Sequence, residues 1–92
     1  RNLIWNKMGK YLDFEKDEKG YKPFVLNKDN VRANIGKRIC YVDFVEPYRG
    51  TYFVRYGTIH SIRYSLLFLD DMNKEVDIRN IKEAGIQIED GQ

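Results

Sequence analysis

From Gly36 onward the chain is a succession of short runs rich in β-branched and aromatic residues, each cut off by Gly, Pro, Asn or Asp. That spacing predicts a sandwich or small barrel of short strands. Lys37 to Val45 (KRICYVDFV) is the first run. Glu46-Pro47-Tyr48-Arg49-Gly50 ends it in a loop, because Pro fixes its own φ and Gly admits turn conformations closed to other residues. Thr51 to Ile62 (TYFVRYGTIHSI) is a long strand with Gly57 inside it, and a glycine there predicts the bulge or sharp bend that a small barrel needs to close. Leu66 to Asp70 is a compact apolar strand, followed by a tight turn, Asp71-Met72-Asn73-Lys74, with Asn73 suited to positive φ. Glu75 to Arg79 alternates polar and apolar residues. Asn80-Ile81-Lys82 is read as a single turn, Gly85 to Ile88 as the last short strand, and Glu89 to Gln92 as a frayed tail.

The first 35 residues are patterned differently. Ile4, Trp5 and Met8 share one side of a short helix, with Asn2 as cap and Gly9 as stop; a continuous helix from Ile4 to Leu12 is the alternative. Tyr11 to Phe14 and Tyr21 to Leu26 read as two strands around the charged turn Glu15 to Gly20. Asp29 or Asn30 can cap a single helical turn through Val31 and Ile35, closed by Gly36. The expected organisation is therefore an N-terminal extension (1–35) packed on a β barrel (36–88), with a short tail (89–92).

Ninety-two residues suffice for one core and not for two. No stretch reaches the roughly 18 apolar residues of a membrane span, and Arg1 to Trp5 lacks the continuous apolar region of a signal peptide. The single Cys40 excludes an internal disulfide and a cysteine-based zinc site and fits a reducing compartment, so a cytoplasmic location with no membrane partner is expected. The chain opens on Arg1 rather than Met, which reads as a processed or excised piece. Net charge is +2 but uneven: residues 1–36 carry eight basic and five acidic groups, 37–64 five and two, 65–92 three and seven, or +3, +3 and −4.

Gly36 before the first strand, the Glu46 to Gly50 loop, Gly57-Thr58-Ile59 at the bent strand, Asp70-Asp71 at a hairpin and Val76 to Ile81 near the end follow a familiar order. In that order the chain resembles the SH3-like small barrels that include Tudor and KOW-type modules. The resemblance covers a little over half the chain and implies a mainly β, five-stranded barrel with an N-terminal extension. Gly36-Lys37-Arg38-Ile39 together with Tyr52 to Ile59 (YFVRYGTI) is also similar to small proteins of prophages and mobile elements. That likeness carries no activity. No aromatic cage of the chromatin-reading Tudor kind can be assigned.

The residues of chemistry are sparse. His60 is the single histidine and lies within a strand, where local pairing or solvation accounts for it; a catalytic base needs a substrate-facing partner and a metal needs several ligands. Cys40, between Ile39 and Tyr41, is read as a small buried thiol. Ser61 and Ser65 lack a Gly-x-Ser-x-Gly context, and the seven glycines are scattered singly rather than gathered into a phosphate loop. Asp70, Asp71 and Asn73 are hard-cation ligand types, but turn chemistry explains them without a metal. No enzyme activity, cofactor or metal is expected.

Basic residues interleave with aromatics through the middle of the chain: Lys37-Arg38, Tyr41, Phe44, Tyr48-Arg49, Tyr52-Phe53, Arg55-Tyr56, Arg63-Tyr64. Aromatic platforms hold bases and cations hold phosphates, so this mixture predicts nucleic-acid binding through Lys37, Arg38, Tyr48, Arg49, Arg55, Tyr56 and Arg63. In alternating strands the same composition also arises from aromatics in the core and solvated cations outside. The alternative expectation is a protein-interaction module, including association with a second copy to form a homo-oligomer. It would use Ile4, Trp5 and Met8 of the extension and Pro47 and Tyr48 of the loop, since exposed aromatics make effective anchors.

Overall fold

A computed structural model describes residues 9–89. The elements run in the order β1 (Tyr21–Pro23), α1 (Lys28–Arg32), β2 (Arg38–Glu46), β3 (Thr51–Arg63), β4 (Leu66–Leu69), β5 (Lys74–Asp77), one 3-10 turn (Ile78–Asn80) and β6 (Ala84–Gln87). Six antiparallel strands form one sheet in the order β1-β6-β2-β3-β4-β5. The outer strands β1 and β5 do not pair with each other. The expected closed five-stranded barrel is thus an open six-stranded sheet. β1 is three residues long and ends on Pro23, which lacks an N–H for a ladder and suits an edge.

β3 bends the sheet on itself. Its first eight residues, to Thr58, pair with β2, and from Ile59 onward it pairs with β4. Gly57 lies at this changeover, as its sequence position suggested, but the register slip itself falls between Ile59 and Ser61. What Gly57 supplies is space: a Cβ there would meet Leu69 Cδ1 at 2.9 Å. Asp70 ties the corner, donating its N–H to Thr58 O and accepting the Thr58 N–H on Oδ1.

Four consecutive residues of β2, Ile39 to Val42, are buried, so this strand does not alternate. The reason is that both its faces are covered. Ile39 and Tyr41 join Val31, Ile59, Ile62, Leu67, Leu69, Ala84 and Ile86 in the core enclosed by the bent sheet. Cys40 and Val42 face the other way and pack with Leu12 and Phe14 from the N-terminal segment. A second, smaller core results, where the chain length predicted one, because the N-terminal segment covers the back of the same sheet. Phe14 lies flush on the sheet because Gly85 has no side chain; a Cβ there would stand 2.5 Å from Phe14 Cε1 and 3.1 Å from Cys40 Sγ.

The N-terminal segment is held by Glu83, whose carboxylate accepts the N–H groups of Lys10 (2.8 Å), Tyr11 (3.0 Å) and Leu12 (2.5 Å). Several departures from the sequence expectations follow from such local bonds. Residues 9–12 are not helical, which removes the continuous helix through Leu12. The proposed helix over Ile4, Trp5 and Met8 lies outside the described residues. Asp13 Oδ1 accepts from Glu15 and Lys16, folding the stretch after it into turns, and Tyr21–Pro23 pairs with β6 rather than with Tyr11 to Phe14. The cap of α1 is Asn27, which accepts the Asn30 N–H, in place of Asp29 or Asn30. In the β4–β5 turn positive φ falls on Asp70, Asp71 and Met72 instead of Asn73. The single turn near the end is Ile78–Asn80, begun by Asp77, whose side chain accepts the Arg79 N–H.

Candidate interaction groove

Strand pairing sorts the β2–β3 side chains onto two faces. Arg38, Cys40, Val42 and Phe44 lie opposite Thr58, Tyr56, Val54 and Tyr52, on the face covered by the N-terminal segment. Ile39, Tyr41 and Asp43 lie opposite Gly57, Arg55 and Phe53, on the face turned into the bend of the sheet. β6 pairs with β2 only as far as Tyr41, and β4 pairs with β3 only from Ile59. The rest of the hairpin therefore projects beyond its neighbours.

On the covered face the projecting part is well packed. Tyr11, Phe44 and Tyr52 meet in edge-to-face and tilted contacts with ring centroids 5.0 to 5.8 Å apart. Deeper on this face Glu18 is a buried carboxylate that accepts the Tyr56 hydroxyl. That bond, together with burial and the Glu18 charge, pushes the phenol pKa of Tyr56 up. Burial, with Glu18 nearby, raises the Cys40 thiol to about 12, so it is protonated and unreactive at neutral pH.

On the other face the hairpin floors a groove of about 850 Å³. Tyr41, Asp43 and Arg55 lie along its floor; β5, the 3-10 turn and the residues after it, including Val76, Ile81 and Lys82, form the facing wall, and Pro47 and Gly50, with Phe44 and Tyr11 reaching in from the covered side, complete the lining. Arg55 is fixed at the centre: its Nε donates to Asp43 Oδ2 at 2.7 Å and its guanidinium stands 5.4 Å from the Phe53 ring. Phe53 is 55% exposed, and Val45 and Tyr48 near the β2–β3 turn are exposed as well. Along the wall, Asp77 bonds Arg79 through both carboxylate oxygens, which holds the Asp77 pKa down to about 2. β5 is the last strand of the sheet and has a strand partner on one side only.

The chain matches no family model, no curated protein and no solved structure.

The seven residues expected to contact nucleic acid do not gather on one surface. Arg38 and Tyr56 lie together on the covered face, with the Arg38 guanidinium 5.6 Å from the Tyr56 ring and Tyr21 beside the same ring. Arg55 lies on the opposite face and is paired to Asp43. Lys37 is ion-paired with Glu89. Tyr48 and Arg49 sit on the β2–β3 turn, and Arg63 stands at the far end of β3, eight residues from Arg55. Of the alternative set, Pro47 lines the groove, Tyr48 beside it is exposed on the β2–β3 turn, and Ile4, Trp5 and Met8 fall outside the described residues.

Sequence reasoning missed Asp43, Phe53, Val76 and Ile81. For the first two a signal existed: a carboxylate and an arginine at diagonal strand positions, with an aromatic opposite the carboxylate and two residues before the arginine, make an ion pair stacked on a ring once the register is set. Val76 and Ile81 reach the groove only through the bend of the sheet, and no local pattern encodes that.

Proposed function

We propose that this domain is a protein-interaction module that takes an extended segment of a partner protein in the groove between the β2–β3 hairpin and β5. The observation that carries the reading is the open groove over the hairpin: Tyr41 and the Asp43-Arg55 pair lie on its floor, and Phe53, stacked beside Arg55, is exposed next to it. Exposed aromatics beside a preformed concave surface are the usual anchors of a binding site. The unpartnered edge of β5 offers backbone groups along the same groove, the chemistry of strand addition. The prepaired Arg55 presents its remaining N–H donors in a fixed plane, suited to a carboxylate or a peptide carbonyl.

The same reading extends to the fold. The order β2-β3-β4-β5, a single 3-10 turn, and the return of β6 beside β2 support placing residues 36–88 with the SH3-like small barrels, with residues 1–35 as an added segment. The seam left between β5 and the hairpin is the proposed site.

Selection from a displayed library of random twelve-residue peptides tests the function. Peptides should be enriched, and Phe53→Ser or Arg55→Glu should weaken their binding by about 30-fold, the effect of losing one strong anchor. Lys16→Ala, in the turn on the opposite face, should leave it unchanged. Peptides that bind all variants equally, or no enrichment at all, would overturn the assignment. Phe53-dependent dimerisation of the free protein would make a second copy the partner.

A further inference from the structure

The cations that carry ion pairs among the described residues are Lys37, Arg55, Lys74 and Arg79. Among the described cations without an acidic partner are Lys28, Arg32 and Arg63, and the contact of Lys28 with Tyr64 sets the start of α1 beside the end of β3. Lys28 and Arg32 are four residues apart in α1 and therefore share a face. Val31 of the same helix is fully buried in the core with Ile59 and Ile62, which seats α1 against the second half of β3, where Arg63 ends the strand. Tyr64, next in the chain, is held at φ +56° in the two-residue turn to β4 and is 76% exposed. A tyrosine in the left-handed region is uncommon, and here the turn directs a large ring into solvent. Lys28 Nζ stands 6.0 Å from its centroid, the outer limit of a cation–π contact, so the ring is accompanied and not covered. Asp29 is the acid of this helix, on the next face round from Lys28.

We propose that this surface, separate from the groove, binds single-stranded nucleic acid, with Tyr64 stacking on a base and Lys28, Arg32 and Arg63 holding the adjoining phosphates. A flat π surface with unpaired cations around it is the arrangement that meets alternating bases and phosphates without reading sequence. Duplex is a poorer fit, because its bases are already stacked and the exposed ring would have nothing to receive. The nucleic-acid expectation drawn from the sequence thus attaches to one of its original residues, Arg63, and to three that it did not include.

Fluorescence anisotropy with labelled twenty-nucleotide single strands of thymidylate and of uridylate, at about 50 mM salt and upward, tests the proposal. The natural chain should bind, with log-log affinity falling against salt at about −0.7 per phosphate held. The triple variant Lys28→Ala, Arg32→Ala, Arg63→Ala should weaken binding at least tenfold and flatten that slope by about 2. Tyr64→Ser should weaken it about fivefold or more with the slope unchanged, which separates stacking from charge. Lys16→Ala with Lys19→Ala, removing two cations elsewhere, should do neither. All six substituted side chains in these variants are exposed, and a melting curve for each confirms folding. Absence of binding at the lowest salt, equal loss in the control variant, or binding only to anionic lipid vesicles would overturn the proposal. Because Phe53→Ser leaves this surface intact, its effect on peptide capture is judged independently.

Discussion

On one face of the β2–β3 hairpin Val42 and Phe44 lie under Tyr11, Leu12 and Phe14, while on the other Asp43 and Arg55 open onto the groove and Phe53 is exposed beside them. The two faces belong to the same strands and differ by one residue in phase. Their composition differs accordingly: the covered face is mostly apolar and aromatic, with the buried Glu18 bonded to Tyr56, and the open face carries an ion pair stacked on Phe53. Burying the first face stabilises the fold. Leaving the second open costs little, because Arg55 and Asp43 satisfy each other and remain hydrated at their edges. Nature of side chain and availability to a partner are thus set together, by which face a residue's register gives it.

Disrupting the cover should have the largest effect. Leu12, 2% exposed, fills the space over Cys40 and Val42, so Leu12→Ala should lower unfolding free energy by about 2 to 5 kcal/mol in urea titration. Loosening its attachment should cost less. Glu83→Ala removes the acceptor of three backbone N–H groups, which can turn to water once the segment lifts. A loss of about 2 kcal/mol is expected, with hydrogen exchange accelerated at Lys10, Tyr11 and Leu12 before the β2 and β3 amides. On the open face the contrast should reverse. Phe53→Ser should change stability by less than about 0.5 kcal/mol while removing peptide capture.

The smallest effect concerns the groove wall. Asp77 has its carboxyl pKa lowered to about 2, first by the Arg79 side-chain hydrogen bond and then by the Arg79 N–H. A depressed folded-state pKa contributes stability above the ordinary carboxylate value and loses it as pH falls through about 2. The carboxyl carbon of Asp77 should titrate by NMR with a midpoint near 2, and Arg79→Ala should move that midpoint up toward about 4. An ordinary midpoint in the natural chain would mean that the wall is not held by this pair.

The strands were legible in the sequence where local chemistry decides them. KRICYVDFV became Arg38–Glu46 and TYFVRYGTIHSI became Thr51–Arg63, because β-branched and aromatic runs bounded by Pro and Gly have few other solutions. Capping was harder: Asn27, Asp29 and Asn30 are all competent, and the fold chose Asn27 because its backbone is extended there while the next residues turn. The open sheet was not legible. It depends on β1 taking the position beside β6, a pairing between residues more than 60 positions apart, which the short run Tyr21–Pro23 does not announce. The groove inherits that difficulty, since its walls come from segments on either side of the bend. Tyr64 stood beside Arg63 among the interleaved aromatics but outside the expected binding set, because its exposure and left-handed φ become visible only in the fold.

The asymmetry between the faces can be read most directly by thiol labelling, since Cys40 is the single cysteine of the chain and lies on the covered face. Its reaction with a disulfide reagent at neutral pH is compared with that of Phe53→Cys placed in a Cys40→Ala background. The account predicts that the thiol at position 53 reacts as fast as in the unfolded chain. Cys40 should react at least about a hundredfold more slowly, limited by burial and by its raised pKa. Equal rates at the two positions would contradict it: both fast would mean that the N-terminal segment does not cover its face, and both slow that the groove is not open.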